Sequence, residues 1–91
     1  MRITRSGRFK RDYKQAKRQH KNLHLLKDVI EQLVKRQKLP DKFRDHKLTG
    51  SLKEYRELHL EPDWLLIYRI DHNEDELKLA RLGPHSELYR K

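Results

Sequence analysis

Three histidines in the second half of the chain have the chemistry for proton transfer. His46, His59 and His85 each stand at the end of a different segment, and Asp63 follows His59 by four positions. Histidine titrates near neutral pH, so one ring can accept a proton while another donates one, and an aspartate can orient a ring or stabilise its charged form. The residue types allow acid–base catalysis, although surface histidines at strand ends would give the same pattern.

The substrate that best suits such a cluster is an RNA phosphodiester. RNA carries its own nucleophile, the 2′-hydroxyl. A base removes its proton, an acid protonates the leaving 5′-oxygen, and an Arg or Lys stabilises the charge on the phosphate. No cofactor is needed. No metal site is expected either, because His20 and His24, although four residues apart, have no third ligand beside them. The residues alone therefore suggest a metal-independent ribonuclease.

Three predicted strands would position these residues. The segments rich in Leu, Ile, Tyr and Trp are residues 55–60, 64–70 and 76–82. Short polar turns between them are typical of an antiparallel meander. In a meander, the end of the first strand, the start of the second and the end of the third share one edge. We therefore expect His59, Asp63 and His85 at one rim of the sheet, within reach of His46 in a polar loop at residues 41–54.

The first half of the chain predicts helices. Apolar residues recur at helical spacing over about residues 7–19 and 23–37. Ser6 and Asn22 are suitable N-caps, and Pro40 ends the second helix. Ile3 lies in a stretch that could be an edge strand. The sequence thus predicts one α+β domain over residues 1–91, with a helical hairpin packed on a small, mainly antiparallel sheet.

Positive charge is concentrated in the first half. Residues 1–44 contain 15 Lys and Arg against 4 Asp and Glu, whereas residues 45–91 contain 8 against 10. Such a surface suits a polyanion: RNA, DNA or an acidic protein, although Lys and Arg also solvate helix faces. The chain has no cysteine, which excludes thiol catalysis and fits a reducing cytosol. Its longest apolar run, Trp64–Tyr68, is too short to cross a membrane, so we expect a cytoplasmic protein.

Two motifs carry a family resemblance. The run DHKLTGSLKEYRELHLEPDWLLIYRI, residues 45–70, and the ending RLGPHSELY, residues 81–89, closely resemble the YafQ-type toxins of the RelE superfamily. The resemblance covers essentially the whole chain and implies a RelE-like fold. It also implies a type II toxin: an mRNA interferase that cuts messenger RNA in the ribosomal A site. Its implied partner is an acidic antitoxin, through which the pair binds operator DNA.

The resemblance also implies individual roles. The family's catalytic positions fall on His46, His59, Asp63, Trp64 and His85. Its aromatic residue near the C-terminus, commonly Phe, is Tyr89 here. We assign His85 as the general acid, and His46 or His59, supported by Asp63, as the group that acts as the base or stabilises the transition state. Trp64 is either a core residue or a wall on which a base stacks.

Basic residues would then bind the RNA. Arg56 and Arg81 lie within the family motifs and could contact phosphate. The first helix would face ribosomal RNA with four basic side chains, Lys10, Arg11, Lys14 and Lys17. The alternative hypothesis is a non-enzymatic basic module that binds the ribosome or nucleic acid and blocks translation without cutting. Substitution of His85 by alanine distinguishes the two hypotheses. If the protein is an enzyme, the variant should still bind the ribosome but should no longer cleave messenger RNA.

Overall fold

A mixed five-stranded sheet forms the centre of the structure, a computed structural model that describes residues 1–89. The strands are β1 (Arg2–Arg5), β2 (His46–Lys47), β3 (Arg56–Glu61), β4 (Trp64–Asp71) and β5 (Glu76–Gly83). Their order is β1-β5-β4-β3-β2, with β1 parallel to β5 and the other pairs antiparallel. The predicted meander and edge strand are therefore confirmed. Arg90 and Lys91, the end of the predicted domain, lie outside the described residues.

Three helices accompany the sheet. They are α1 (Gly7–Arg18), α2 (Leu23–Val34) and the single turn α3 (His85–Leu88). The predicted caps are confirmed, because the Ser6 side chain accepts the N–H of Phe9 and the Asn22 side chain accepts the N–H of Leu25. No helix within residues 1–89 has the length and apolar character to cross a membrane.

The predicted end of α2 near Gln37 is wrong. The helix stops at Val34, and Arg36 takes a left-handed conformation with φ 58°. The apolar stripe ends at Val34, so residues 35–37 have no side chain to bury against the sheet. The Arg36 guanidinium instead reaches Asp75, at 2.7 Å.

The segment at residues 41–54, expected to be a loop, contains more structure than its composition indicates. A 3-10 turn at Asp41–Phe43 buries Phe43, and a second covers Gly50–Leu52. Between them lies β2, whose two residues pair with the start of β3. A two-residue strand has no periodicity to detect, which is why sequence patterning missed it.

The two faces of the sheet have different roles. Side chains alternate along β3, so Leu58 and Leu60 face one side while Glu57 and His59 face the other. Leu58 and Leu60 belong to the buried core under α1 and α2, together with Phe9, Leu26, Val29, Leu66, Tyr68 and Leu79. The opposite face carries the polar residues that form the candidate site.

Candidate active site

A buried carboxylate stands at the centre of the candidate site. Glu57, on β3, is only 4% exposed. One of its oxygens, Oε1, lies 3.3 Å from Nε2 of His59 and 3.6 Å from Nε2 of His46. The other, Oε2, accepts a hydrogen bond from the Tyr89 hydroxyl. Because a buried charge needs partners, these contacts both stabilise Glu57 and fix the two rings.

His46 reaches the site through β2. It pairs with Glu57 across the β2–β3 ladder, and the two histidine ring centroids are 6.3 Å apart. Its Nδ1 lies 2.7 Å from the carbonyl oxygen of Arg44. A carbonyl can only accept, so Nδ1 carries a proton and Nε2 is the atom that faces Glu57. Arg44 itself is left-handed (φ 50°), which turns its carbonyl toward the ring.

The loop before His46 is tied to the sheet by a second carboxylate. Asp45 accepts the Tyr68 hydroxyl at 2.7 Å and Nε of Arg56 at 3.3 Å. Burial raises the pKa of the Tyr68 hydroxyl above its ordinary value, and the hydrogen bond to Asp45 acts in the same direction. For the Arg56 guanidinium, burial lowers the pKa, but the charge and hydrogen bond of Asp45 outweigh it and raise the pKa.

His85 joins the cluster through α3. Its backbone N–H donates to Oδ1 of Asp63 at 3.1 Å, which ties α3 to the β3–β4 turn. Its ring lies against Tyr89, with centroids 4.7 Å apart. Tyr89 therefore links His85 to Glu57. Burial raises the pKa of the Tyr89 hydroxyl, as does its hydrogen bond to Glu57, so this hydroxyl stays protonated and acts as a donor.

The structure thus brings the four predicted catalytic residues to one rim of the sheet, but Asp63 makes a different contact from the one expected. Asp63 was expected to support the ring of His46 or His59. Its hydrogen bond within the described chain goes instead to the backbone of His85. The carboxylate that contacts both rings is Glu57.

Sequence reasoning missed Glu57, although a signal was present. It stands two residues before His59, so on a strand the two side chains share a face. An acid two residues before a histidine on the same strand is therefore an expected neighbour for the histidine ring, whereas the intervening leucine faces the other side.

Of the two alternatives predicted for Trp64, its burial favours the core residue over the stacking wall. The residue is 1% exposed and belongs to the core cluster. A nucleobase needs an open aromatic face on which to stack.

The two arginines expected to contact phosphate are both paired with acids. Arg56 contacts Asp45, as described above. Arg81 binds Asp12 of α1, with its Nε 2.9 Å from Oδ2, and the same oxygen accepts the N–H of Leu82. Across the strands Arg81 is opposite Ile67, which is opposite Glu57, so the three share one face.

The basic residues of α1 are exposed. Lys10, Arg11, Lys14 and Lys17 all lie on the solvent side, while Phe9 and Ala16 of the same helix are buried. This arrangement leaves a charged surface that a polyanion can reach.

The arrangement is suited to proton transfer between partners held on separate elements. Two imidazoles share one carboxylate oxygen, and a third ring lies beside the phenol bound to the other oxygen. Within residues 1–89, no three His, Asp or Glu side chains are arranged to hold a metal ion.

Comparison with known proteins gives a consistent family. A family model for YafQ, described as a bacterial toxin of type II toxin-antitoxin systems, matches residues 1–90. The chain is 39% identical over 88 residues to a protein named mRNA interferase toxin YafQ from Escherichia coli (strain K12). This alignment covers 96% of this chain and 94% of that protein.

Solved structures of similar proteins point to the same family. A metal-bound toxin from Helicobacter pylori is 44% identical and superposes with a TM-score of 0.93, covering 98% of this chain and 99% of that one. The E. coli DinJ-YafQ complex contains a chain that is 38% identical, with a TM-score of 0.89 and the same coverage. The predicted fold is confirmed by these matches.

Proposed function

The chain belongs to the YafQ family of bacterial type II toxins, and from this premise we propose that it is an mRNA interferase, an endoribonuclease that cuts messenger RNA on the ribosome. The observation that carries the proposal is the convergence of His46 and His59 on one oxygen of Glu57, with His85 held beside Tyr89. The name of the E. coli relative supports the same activity.

In the proposed reaction the RNA supplies the nucleophile. One ring of the pair His46 and His59 removes the proton of the 2′-hydroxyl, whose oxygen attacks the adjacent phosphorus. The bond from phosphorus to the 5′-oxygen breaks, and His85 gives that oxygen a proton. The products are a 2′,3′-cyclic phosphate and a 5′-hydroxyl. No step uses a metal ion or cofactor, and Glu57 positions the rings without touching the substrate.

The basic face of α1 supports a ribosomal location for the reaction. Its exposed Lys and Arg side chains would contact phosphates of ribosomal RNA, which position the protein without reading sequence. Messenger RNA would then lie against the rim that carries the histidines.

An antitoxin partner is part of the proposal. The E. coli relative forms a complex with DinJ. In this chain an apolar groove of about 610 Å³ lies between α1 and α2, and its lining includes exposed Tyr13 and partly buried Ile30. An amphipathic acidic segment would fill the groove with its apolar side and pair its charges with the basic surface. Operator DNA would be bound through the antitoxin.

Primer extension on messenger RNA from cells that express the chain tests the activity. Wild type should give discrete cuts, and His85→Ala should give none while still binding ribosomes. Cleaved RNA should carry a 5′-hydroxyl. Inhibited translation with intact messenger RNA would favour the non-enzymatic blocker, and 5′-phosphate ends would refute the attack by the 2′-hydroxyl.

A further inference from the structure

A cavity of about 310 Å³ opens next to His59, at the sheet edge that β2 leaves uncovered. β2 pairs with Arg56 and Glu57, so among residues 1–89 the outer edge of β3 from Leu58 onward has no strand beside it. The 3-10 turn that ends at Phe43 and the start of α2 form the far wall. His59 lines the cavity and also contacts Glu57 in the candidate site, so the two adjoin at this residue.

We propose that this cavity is a subsite for one nucleoside of the RNA, adjacent to the cleaved phosphate. The inference rests on the proposed function and goes beyond it, because it assigns a binding place to a nucleobase of the RNA, which the proposed catalytic residues do not provide. A volume of about 310 Å³ lies at the lower end of the range for small-ligand pockets, which suits one nucleoside.

The lining of the cavity has the chemistry of a nucleotide. Its apolar floor comes from four residues, Leu25, Phe43, Leu60 and Pro62. A base is planar and apolar on its faces, so it gains by leaving water against such a floor.

Two residues with cationic side chains line the cavity. The Lys42 ammonium lies 5.3 Å from the centroid of the Phe43 ring, directly over the floor, and Arg44 is exposed beside it. Glu61 is the acidic side chain in the lining. The cations suit a phosphate on the bound nucleoside, and the carboxylate can accept from an exocyclic amine of the base.

The geometry also links the cavity to the catalytic residues. Arg44 lines the cavity, and its carbonyl oxygen accepts from Nδ1 of His46. A nucleoside bound there would lie between the turn that holds His46 and the strand that holds His59. Occupancy of the subsite would thus align the neighbouring phosphate with both rings.

The test is a titration of purified, isotope-labelled protein with nucleoside 5′-monophosphates, followed by ¹H–¹⁵N NMR. Saturable shifts are expected at the amides of Lys42, Phe43, Leu60 and Glu61, with an affinity near about 1 mM. Lys42→Ala should weaken binding about threefold, as for an exposed ion pair. Lys35→Ala, an exposed lysine outside the cavity, is the matched control and should bind as wild type does.

Leu25→Trp tests the cavity by filling it. This variant should lose the shifts and reduce ribosomal cleavage about tenfold, because a buried base contributes that much by stacking. Lys42→Ala, at an exposed position, keeps the test valid if Leu25→Trp does not fold.

The outcomes separate the subsite from the proposed function. Cleaved messenger RNA with no shift at the cavity amides up to about 10 mM nucleotide would overturn the subsite alone. Shifts that inorganic phosphate reproduces by itself would also overturn it, since the base would then add nothing. Nucleotide binding that Lys42→Ala weakens, in a protein that leaves messenger RNA intact, would support nucleoside binding and overturn the nuclease.

Discussion

Glu57→Gln tests how far the site depends on one buried carboxylate. Glutamine keeps the size and shape of the side chain and removes its charge. In the wild type, Oε1 lies 3.3 Å from Nε2 of His59, and Oε2 accepts the Tyr89 hydroxyl. Both contacts change, because the amide offers one oxygen and places an NH₂ group where the other oxygen stood.

The expected loss of stability follows from the burial of each partner. A hydrogen bond to a charged group contributes ~1.5–3 kcal/mol and a neutral one ~0.5–1.5 kcal/mol, so the Tyr89 contact should weaken by about 1–2 kcal/mol. The His46 side chain is 50% exposed, and its contact adds little. A loss of about 1–2 kcal/mol lowers Tm by roughly 4–16 °C in a domain of this size.

The expected loss of activity is larger than the loss of stability. Small displacements of catalytic groups cost up to about 100-fold in rate, so cleavage should fall about 10- to 100-fold at a temperature where the variant is folded. Circular dichroism melting and a time course of messenger RNA cleavage on ribosomes measure the two effects.

Glu54→Gln is the matched control. Glu54 is 62% exposed and lies 3.8 Å from Arg69, so the same chemical change should leave Tm and cleavage unaltered. Wild-type cleavage by Glu57→Gln would refute the positioning role of this carboxylate. Equal losses in both variants would show that the effect is not specific to the site.

Three further perturbations follow from the same contacts. Asp45→Asn should free the loop before His46 and lower cleavage about tenfold, whereas Asp41→Asn on the exposed turn should not; equal rates in the two variants would contradict this. The pKa of Tyr68 is raised above its ordinary value of 10.0, first by burial and then by Asp45. The native state therefore holds this proton more tightly than the unfolded chain, and stability should be full below about pH 10 and decline above it. Tyr68→Phe should show a shallower alkaline decline in denaturant titrations, and an unchanged slope would oppose the assignment. Replacing four exposed basic residues of α1, three lysines and one arginine, by glutamine should weaken ribosome binding and flatten its salt dependence without changing Tm; salt-independent wild-type binding would refute this. The residues replaced are Lys10, Arg11, Lys14 and Lys17.

Much of the fold was accessible from the sequence because the signals were local. The caps at Ser6 and Asn22 and the strand-prone segments bounded by polar turns depend on residues a few positions apart. What patterning could not supply was contact between distant segments. Asp12 binds Arg81, and Asp45 binds Tyr68, yet nothing near these acids in sequence indicates their partners.

The residues that meet at the rim of the sheet were predictable from the sequence, whereas the contacts that their side chains make were not. A meander brings His59, Asp63 and His85 to one edge for topological reasons alone. Which atom each side chain contacts depends on distances of a few tenths of an ångström. Asp63 therefore proved to bind the His85 backbone, and Glu57, not Asp63, proved to contact the rings.

Acidic residues hold the site together in a chain whose surface is basic. Glu57 contacts the rings of His46 and His59, Asp63 fixes the backbone of His85, and Asp45 anchors the loop before His46. Each histidine lies on a different element. The rings of His46 and His59 share Glu57, and the backbone of His85 is held by Asp63. The apolar fraction is only 34%, which leaves a small core for one domain, and polar contacts must supply the precision that packing gives elsewhere. Loss of any one carboxylate should therefore displace the side chains or backbone that it contacts, while the sheet and its core persist.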